Sequence, residues 1–351
     1  MTVTVYGAGA IGGTVGAYLA LHDIPVLLVD REVQHVAAMN ERGLTIHRED
    51  ASFRVPVRAV EPDALAGSLD LVLLAVKAQH TDDALRVIAP LLTPTSTLVS
   101  LQNGLCERSI AARIGVERTV GALVNFSADY IEPGTIFFGG PGAIELGDLD
   151  GANRERLRTI RDLLAHVGEV KVTDNIWGYI WGKMGYANML FATATTDETM
   201  ADIIDRYRPL MVELAAEIYE VAAHEGVTPE PFDDVEPGLY YPREQRDWDA
   251  INRSLDALVA RRHRDRKAYS GIWRDLAVRH RPTEVDYQIG LAAEIGAGHG
   301  LPMPLTRALV AMIHELESGR RERSRANVDE LNAMIPAAAE RRGETGEEIS
   351  G

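Results

Sequence analysis

Three groups of residues in this chain have the types and spacing to do chemistry. The run GAGAIGG at residues 7–13 follows one short apolar stretch: Gly7 allows a tight bend, Gly9 lets a pyrophosphate approach the backbone, and Gly12 lets the next helix close on the strand. Gly7, Ala8, Gly9, Ala10, Ile11 and Gly12 are therefore the expected cradle of a dinucleotide, with its phosphates on the unpaired N–H groups of a helix N-terminus. Asp30 ends the next apolar run, where an acid bonds the ribose 2′-OH of NAD; Arg31 beside it is of the kind that grips the 2′-phosphate of NADP. The second group stands at the ends of two later apolar runs, Lys77 with Gln79 and Thr81 behind it, and Asn103 in SLQNG. Strand ends of this kind carry the ligands of an open α/β sheet.

The third group is Lys183 in the apolar stretch WGYIWGKMGYANMLFATATT, with Asn188, and Glu284 in RPTEVDYQIG. A lysine in an apolar helix is costly to bury without a partner. An ammonium so placed can protonate a ketone oxygen while hydride arrives at its carbon, and Glu284 is the carboxylate that could hold it. Each feature also has an ordinary reading. Glycines make structural turns, Lys77 can begin a solvated helix, Asn-Gly is a turn by default, a lysine can snorkel, and glutamates open helices for dipole reasons. Cys106 is read as a structural thiol.

The elements that would position these groups change character along the chain. Apolar, β-rich runs at 3–6, 24–29, 69–76, 97–101 and 119–124 alternate with helical stretches, which predicts a mostly parallel sheet with helices on both faces. Runs at 134–139 and 143–146 are expected to add antiparallel strands to its edge. Beyond about residue 176 only helical patterns remain, at 176–195, 209–224, 246–259, 283–299 and 305–318. The fold class is thus α/β, an N-terminal Rossmann-type doubly wound sheet followed by a C-terminal all-helical domain. The expected boundaries are 1–175 for dinucleotide binding, 176–336 for substrate, and 337–351 for a polar, mobile tail. Residues 226–242, rich in proline and acids, read as a loop or lid.

Size and composition agree. A chain of 351 residues suits two domains, and 46% hydrophobic with 25% charged residues is ordinary globular composition. The formal net charge of −16 argues against nucleic acid or an anionic membrane as partner, and no apolar run reaches the ~18 residues of a span. One cysteine excludes an internal disulfide and a cysteine metal cluster, and no metal site is expected. A strand at the very start leaves no room for a signal peptide, so the expected location is cytoplasmic. The expected partner is a small molecule, and a homodimer is the assembly to be tested.

Taken together, GAGAIG at 7–12, VKAQHT at 76–81, SLQNGL at 100–105, WGKMGYAN at 181–188 and SGIWRDLAVRHRPTEVD at 270–286 resemble the ketopantoate reductase family. In that family a Rossmann domain and a helical domain form a cleft in which NADPH reduces a 2-keto acid to a 2-hydroxy acid. The resemblance implies that Lys183 is the catalytic lysine and Glu284 the glutamate facing substrate or cofactor. It also implies Asn103 as the cleft asparagine, Lys77 as the cofactor lysine, Ala128 as a small residue near the cofactor, and Ser270 as the surviving member of a serine pair that binds substrate.

Three departures from the family pattern stand out. The family spaces its lysine and two asparagines four residues apart, and here those positions are Ala187 and Phe191. Asn188 lies five residues from Lys183, about 140° away on an ideal helix. An inserted residue is commonly absorbed as a π-bulge, which would turn Asn188 back toward the lysine, so a widened turn is expected here. Glycine follows Ser270, and a long acidic insertion occupies 227–250. These features favour a larger or less polar keto substrate than ketopantoate. The cofactor is left open between NADP(H), which the resemblance implies, and NAD(H), which Asp30 favours. Rival readings are an imine reductase or secondary-alcohol dehydrogenase on the same scaffold, and a non-catalytic dinucleotide-binding sensor. The presence of both Lys183 and Glu284 argues against the sensor.

Overall fold

The structure is a computed structural model that describes residues 2–232, 234–264 and 267–335. The expected tail at 337–351 lies outside the described residues. The chain divides after Ile176 into two compact units. The first contains β1 (Val3–Tyr6), α1 (Ala10–Leu21), β2 (Val26–Val29), α2 (Val33–Arg42), β3 (Leu44–His47), β4 (Ser52–Val55), β5 (Arg58–Val60), β6 (Leu69–Leu74), α3 (Thr81–Ile88), β7 (Leu92–Ser100), α4 (Cys106–Ile114), β8 (Thr119–Asn125), β9 (Ala128–Glu132), β10 (Thr135–Phe138), β11 (Ala143–Asp148), α5 (Arg156–Leu164) and β12 (Glu169–Val172).

Eight strands form one sheet in the order β12-β11-β8-β7-β6-β1-β2-β5. Strands β5, β2, β1, β6, β7 and β8 run parallel, and β11 pairs antiparallel with β8. The chain order reverses between β1 and β6, which is where open α/β sheets leave a crevice at the strands' carboxyl ends. The central strands read as near-continuous apolar runs because both faces of the sheet are covered. Val3, Val5, Leu71 and Leu73 face one core, while Tyr6, Val72 and Leu74 face the other with Ile88, Ile110 and Ile114 of α3 and α4.

One expectation fails here. The 134–139 run does not extend the main sheet; β10 belongs to a separate four-stranded sheet, β4-β3-β10-β9, parallel to β3 and antiparallel to β9. Its apolar residues Ile136 and Phe138 join the core beside α1, where Tyr18 meets Phe53 and Phe138 edge-on, each at 5.4 Å.

The second unit is helical, with α6 (Ile176–Thr193), α7 (Met200–Arg206), α8 (Arg208–His224), α9 (Pro237–Tyr240), α10 (Trp248–Arg264), α11 (Gly271–Ala277), α12 (Ile289–Gly298), α13 (Pro304–Glu317) and α14 (Arg325–Asn332). The helix expected from 283 begins only at Ile289. Ahead of it Thr283 is held by Glu317, which accepts hydrogen bonds from its amide and its hydroxyl at 2.7 Å each.

Helix α6 is α-helical at every residue from 176 to 193, so the expected widened turn is absent. From residue 178 to 193 its only half-buried positions are Lys183, Ala187 and Leu190, a stripe at i, i+4 and i+7. Phe191, which the family spacing placed on this face, is fully buried instead. Asn188 points into the core: its amide donates to the Leu214 carbonyl at 2.7 Å and the Thr306 hydroxyl at 2.8 Å. Thr306 and Leu305 in turn donate their backbone N–H groups to the buried Glu217 carboxylate at 2.7 and 3.0 Å. This polar knot ties α6, α8 and α13 together and fixes which face of α6 is left accessible.

The 226–242 segment is irregular yet anchored, which makes it a strap rather than a free lid. Glu230 donates its N–H to the Gly178 carbonyl at 2.9 Å, and a Cβ on Gly182 would collide with the Glu230 carbonyl oxygen. Past the strap, Arg243 bonds Glu213 at 3.0 Å and Glu220 at 2.7 Å, and Arg246 also pairs with Glu213.

Two outcomes follow for stability. Alanine for glycine within a helix ordinarily gains about 1 kcal/mol. Gly182→Ala should instead cost about 1–3 kcal/mol, as overpacking does, read by chemical denaturation. Burial pushes the Glu217 carboxyl above its usual range, despite the hydrogen bonds it accepts from Thr306 and Leu305. Folding therefore takes up a proton there, and this contribution to stability declines as pH rises from the ordinary carboxylate range to the raised value. Glu217→Gln lacks that decline. The stability difference between native and variant should be largest near the acid end and shrink toward neutrality in denaturation at a series of pH values.

Candidate active site

The turn from β1 into α1 is shaped by close approach. Gly7 has φ +98°, and a Cβ there would meet the Val76 amide nitrogen at 2.7 Å and the Ala75 carbonyl carbon at 2.8 Å. A Cβ on Gly12 would collide with the Gly7 carbonyl oxygen and stand 2.9 Å from Ala75 Cβ. Gly9 differs, since a Cβ there would meet nothing within 4 Å. It is also the N-cap of α1, with no side-chain cap and no acid in the helix's first turn. Open space above an uncapped helix N-terminus is what a pyrophosphate requires, so these residues fit a nicotinamide dinucleotide.

Asp30 follows β2 directly, and its carboxylate accepts the Glu32 N–H at 3.0 Å. Arg31 is exposed, with Nε 3.7 Å from the Glu32 carboxylate. Burial, aided by the Asp63, Asp83 and Asp30 carboxylates, pushes the Tyr6 phenol up to about 12. His80 is pushed below its ordinary value by burial and by the positive charges of Arg31 and Lys77, against an opposing pull from Asp83. Both signs of charge therefore act at this end of the sheet.

The structure brings the Lys77 and Asn103 segments together through a residue that sequence reasoning passed over. Gln102 donates its amide to the Val76 carbonyl at 2.9 Å and the Thr81 hydroxyl at 2.8 Å, stapling the loop after β7 to the loop after β6. Lys77 is half-buried at the start of a single 3-10 turn, and Asn103 is exposed, its carbonyl accepting from the Cys106 thiol at 3.4 Å. The adjacent Asn-Gly pair hid Gln102, whose place at a strand end was the available signal. Ala128 opens β9, half-buried against the apolar core of the first unit.

In the second unit Lys183 is the one charged residue of α6, and its Nζ lies 5.9 Å from the centre of the Phe232 ring on the strap. Glu284 is half-buried and caps the short turn Val285–Tyr287, its carbonyl accepting from Tyr287 and Gln288 at 3.1 Å each. Asp286 is turned to His314 at 2.8 Å. Ser270 caps α11 by accepting the Trp273 N–H at 3.1 Å and is largely buried. Asn188, expected to touch substrate, has no exposed surface and is corrected to a core residue. Regular helix geometry places it on the face opposite the accessible stripe.

Comparison with known proteins completes the picture. The family model described as ketopantoate reductase PanE/ApbA matches residues 3–151, and the model of that family's C-terminal part matches residues 175–317. A 2-dehydropantoate 2-reductase of Mesorhizobium japonicum is 30% identical over 228 residues, covering 58% of this chain and 70% of that protein. One of Pyrococcus horikoshii is 26% identical across 91% of this chain and 98% of its own. The solved structure of a PanE/ApbA family ketopantoate reductase from Ralstonia eutropha superposes with a TM-score of 0.76 at 25% identity, covering 91% of this chain and 99% of that one. The fold is also shared with D-mandelate dehydrogenase bound to NADH and anilino(oxo)acetate, at a TM-score of 0.77, 22% identity and the same coverage. Both halves of the chain therefore place it in the PanE/ApbA ketopantoate reductase family, nicotinamide-dependent oxidoreductases that interconvert C=O and CH–OH groups.

Proposed function

We propose that the protein reduces a 2-keto acid whose side chain is less polar than that of ketopantoate, with residues 1–175 binding the cofactor and 176–336 the substrate. The observation that carries the reading is the accessible stripe of α6, where one ammonium, Lys183, is flanked by Ala187, Leu190 and the Phe232 ring. The bound nicotinamide supplies the hydride. Lys183 donates the proton that the carbonyl oxygen needs as its carbon is reduced, and Glu284 orients the ammonium and accepts from the substrate hydroxyl. The lost family asparagines leave an apolar wall beside the lysine, which favours an apolar substituent on the 2-keto acid. Ser270 and Asn103 are the further polar contacts proposed for the substrate, and Ala128 and Lys77 for the cofactor.

Gly7 to Gly12 hold the pyrophosphate on the N-terminus of α1. Asp30 sets the choice of cofactor, favouring NAD(H) by bonding a ribose hydroxyl and repelling the added phosphate of NADP(H), while Arg31 offsets part of that repulsion. The cytoplasm, a homodimer, and the absence of nucleic-acid and membrane partners belong to the same proposal. In support, no helix among the described residues is long and apolar enough to cross a membrane, and the net charge is −16.

Lys183→Ala should lower kcat by ~10²–10⁴-fold with branched or aryl 2-keto acids, the loss typical of a missing general acid, while NADH titration shows cofactor affinity nearly unchanged. Full turnover in that variant would refute the assignment, and a higher kcat/KM for ketopantoate than for apolar 2-keto acids would refute the substrate class. Asp30→Ala should weaken NADH binding and improve NADPH binding, because an unpaired charge beside the 2′-phosphate is removed. The ratio of the two dissociation constants is the readout, and an unchanged ratio would place Asp30 outside the ribose contact.

A further inference from the structure

His35, in the first turn of α2, is a buried titratable residue that the chemistry above does not use; it is 1% exposed. Its two ring nitrogens face partners of opposite kind. Nε2 lies 2.9 Å from the Ala8 carbonyl oxygen, and Nδ1 lies 2.9 Å from the Gly134 backbone nitrogen. A carbonyl oxygen only accepts and a backbone N–H only donates, so the ring carries its proton on Nε2 and leaves Nδ1 bare. The Tyr130 ring packs edge-on against the imidazole at 5.0 Å and closes one side. One side chain thus ties the glycine-rich turn after β1 to the turn that joins β9 and β10, 99 residues further along the chain from His35.

The bond to Ala8 has a consequence for the turn. In a trans peptide the C=O and the following N–H point in opposite directions across one plane. Holding the Ala8 carbonyl against His35 therefore aims the Gly9 N–H the other way, away from the imidazole. Gly9 is the residue whose Cα has open space beyond it and which starts α1. Without the imidazole, the Ala8–Gly9 peptide could rotate as a unit, since glycine tolerates the altered dihedrals.

We propose that His35 is a positioning residue for cofactor binding: by fixing the Ala8–Gly9 peptide it presents the Gly9 N–H to the cofactor pyrophosphate. The inference rests on the reading of this turn as the dinucleotide site. It predicts that the two bonds of the imidazole are unequal in function. The Ala8 bond governs cofactor affinity, and the Gly134 bond serves only to hold the small sheet.

Two substitutions separate them. His35→Gln sets an amide donor at the place of Nε2 and keeps the Ala8 bond, whereas His35→Asn sets an acceptor near Nδ1 and keeps only the Gly134 bond. Dissociation constants for NADH and ADP-ribose, thermal midpoints and steady-state constants would be measured for both. His35→Asn should weaken both ligands by about tenfold, the effect of misaiming one hydrogen bond to a charged group, with the loss in KM for the cofactor rather than in kcat. His35→Gln should restore affinity to within about twofold of the native protein even where its thermal midpoint is lower. Equal weakening in both variants, tracking their loss of thermal stability, would overturn the proposal by making the residue merely structural. Native affinity in His35→Asn would overturn it as well. Gly9→Ala tests the underlying reading separately: its methyl enters open space, so the fold is kept and NADH affinity should fall. Native NADH affinity in Gly9→Ala would remove the dinucleotide reading itself, whatever the His35 variants do.

Discussion

The architecture of the first unit depends on one steric constraint, the near-contact between the chain leaving β1 and the chain leaving β6. Gly7 lies so close to Ala75 and Val76 that no side chain fits, and its φ of +98° suits only glycine at low cost. That contact brings α1 down on β1 through Gly12 and leaves its N-terminus at the carboxyl edge of the sheet. It also sets the loop after β6 beside the glycine-rich turn, and Gln102 then holds the loop after β7 against that one. Residues drawn from three strand ends share an edge because backbone packs on backbone at this point.

In the second unit the comparable constraint is polar. An apolar helix such as α6 could bury almost any face, since nearly all of its residues are hydrophobic. Its rotation is set by Asn188, whose buried amide N–H groups must find acceptors in the core and find them in the Leu214 carbonyl and the Thr306 hydroxyl. Once Asn188 is inward, helical geometry turns Lys183, Ala187 and Leu190 outward. Gly178 and Gly182 then admit the strap backbone, which delivers Phe232 beside the ammonium.

The glycine-rich turn, the parallel strands and the placing of Asp30 were legible in the sequence because they rest on local signals: closely spaced glycines after a strand, near-continuous apolar runs, a carboxylate directly after a strand. The second sheet was not. Its strands are short and half-exposed, and β3 pairs with β10 across about ninety residues, so neither periodicity nor turn chemistry announces the pairing. Asn188 was misread for a related reason. Spacing along α6 gave its angle to Lys183 correctly, but the partners that make an inward asparagine favourable sit on α8 and α13. The expected widened turn assumed that a polar residue must face the ligand, and an asparagine whose amide finds acceptors in the core needs no such distortion.

The electrostatics carry the same tension between global and local terms. A chain of net charge −16 has to attract an anionic cofactor. At physiological ionic strength charges beyond about 8 Å are largely screened, so the field that matters at the proposed phosphate site is that of the first turn of α1. Helix α3 begins with Asp82 and Asp83 and α4 with Glu107, which neutralise their own N-termini, whereas α1 has no acid in its first turn and only glycine at its cap. Asp30, the acid directly after β2, stands at the place proposed for the ribose rather than the pyrophosphate. Binding an anion therefore requires no basic face: a helix start without acids serves, provided that its N–H groups are aimed by the backbone geometry of the turn that precedes it and that open space lies before them.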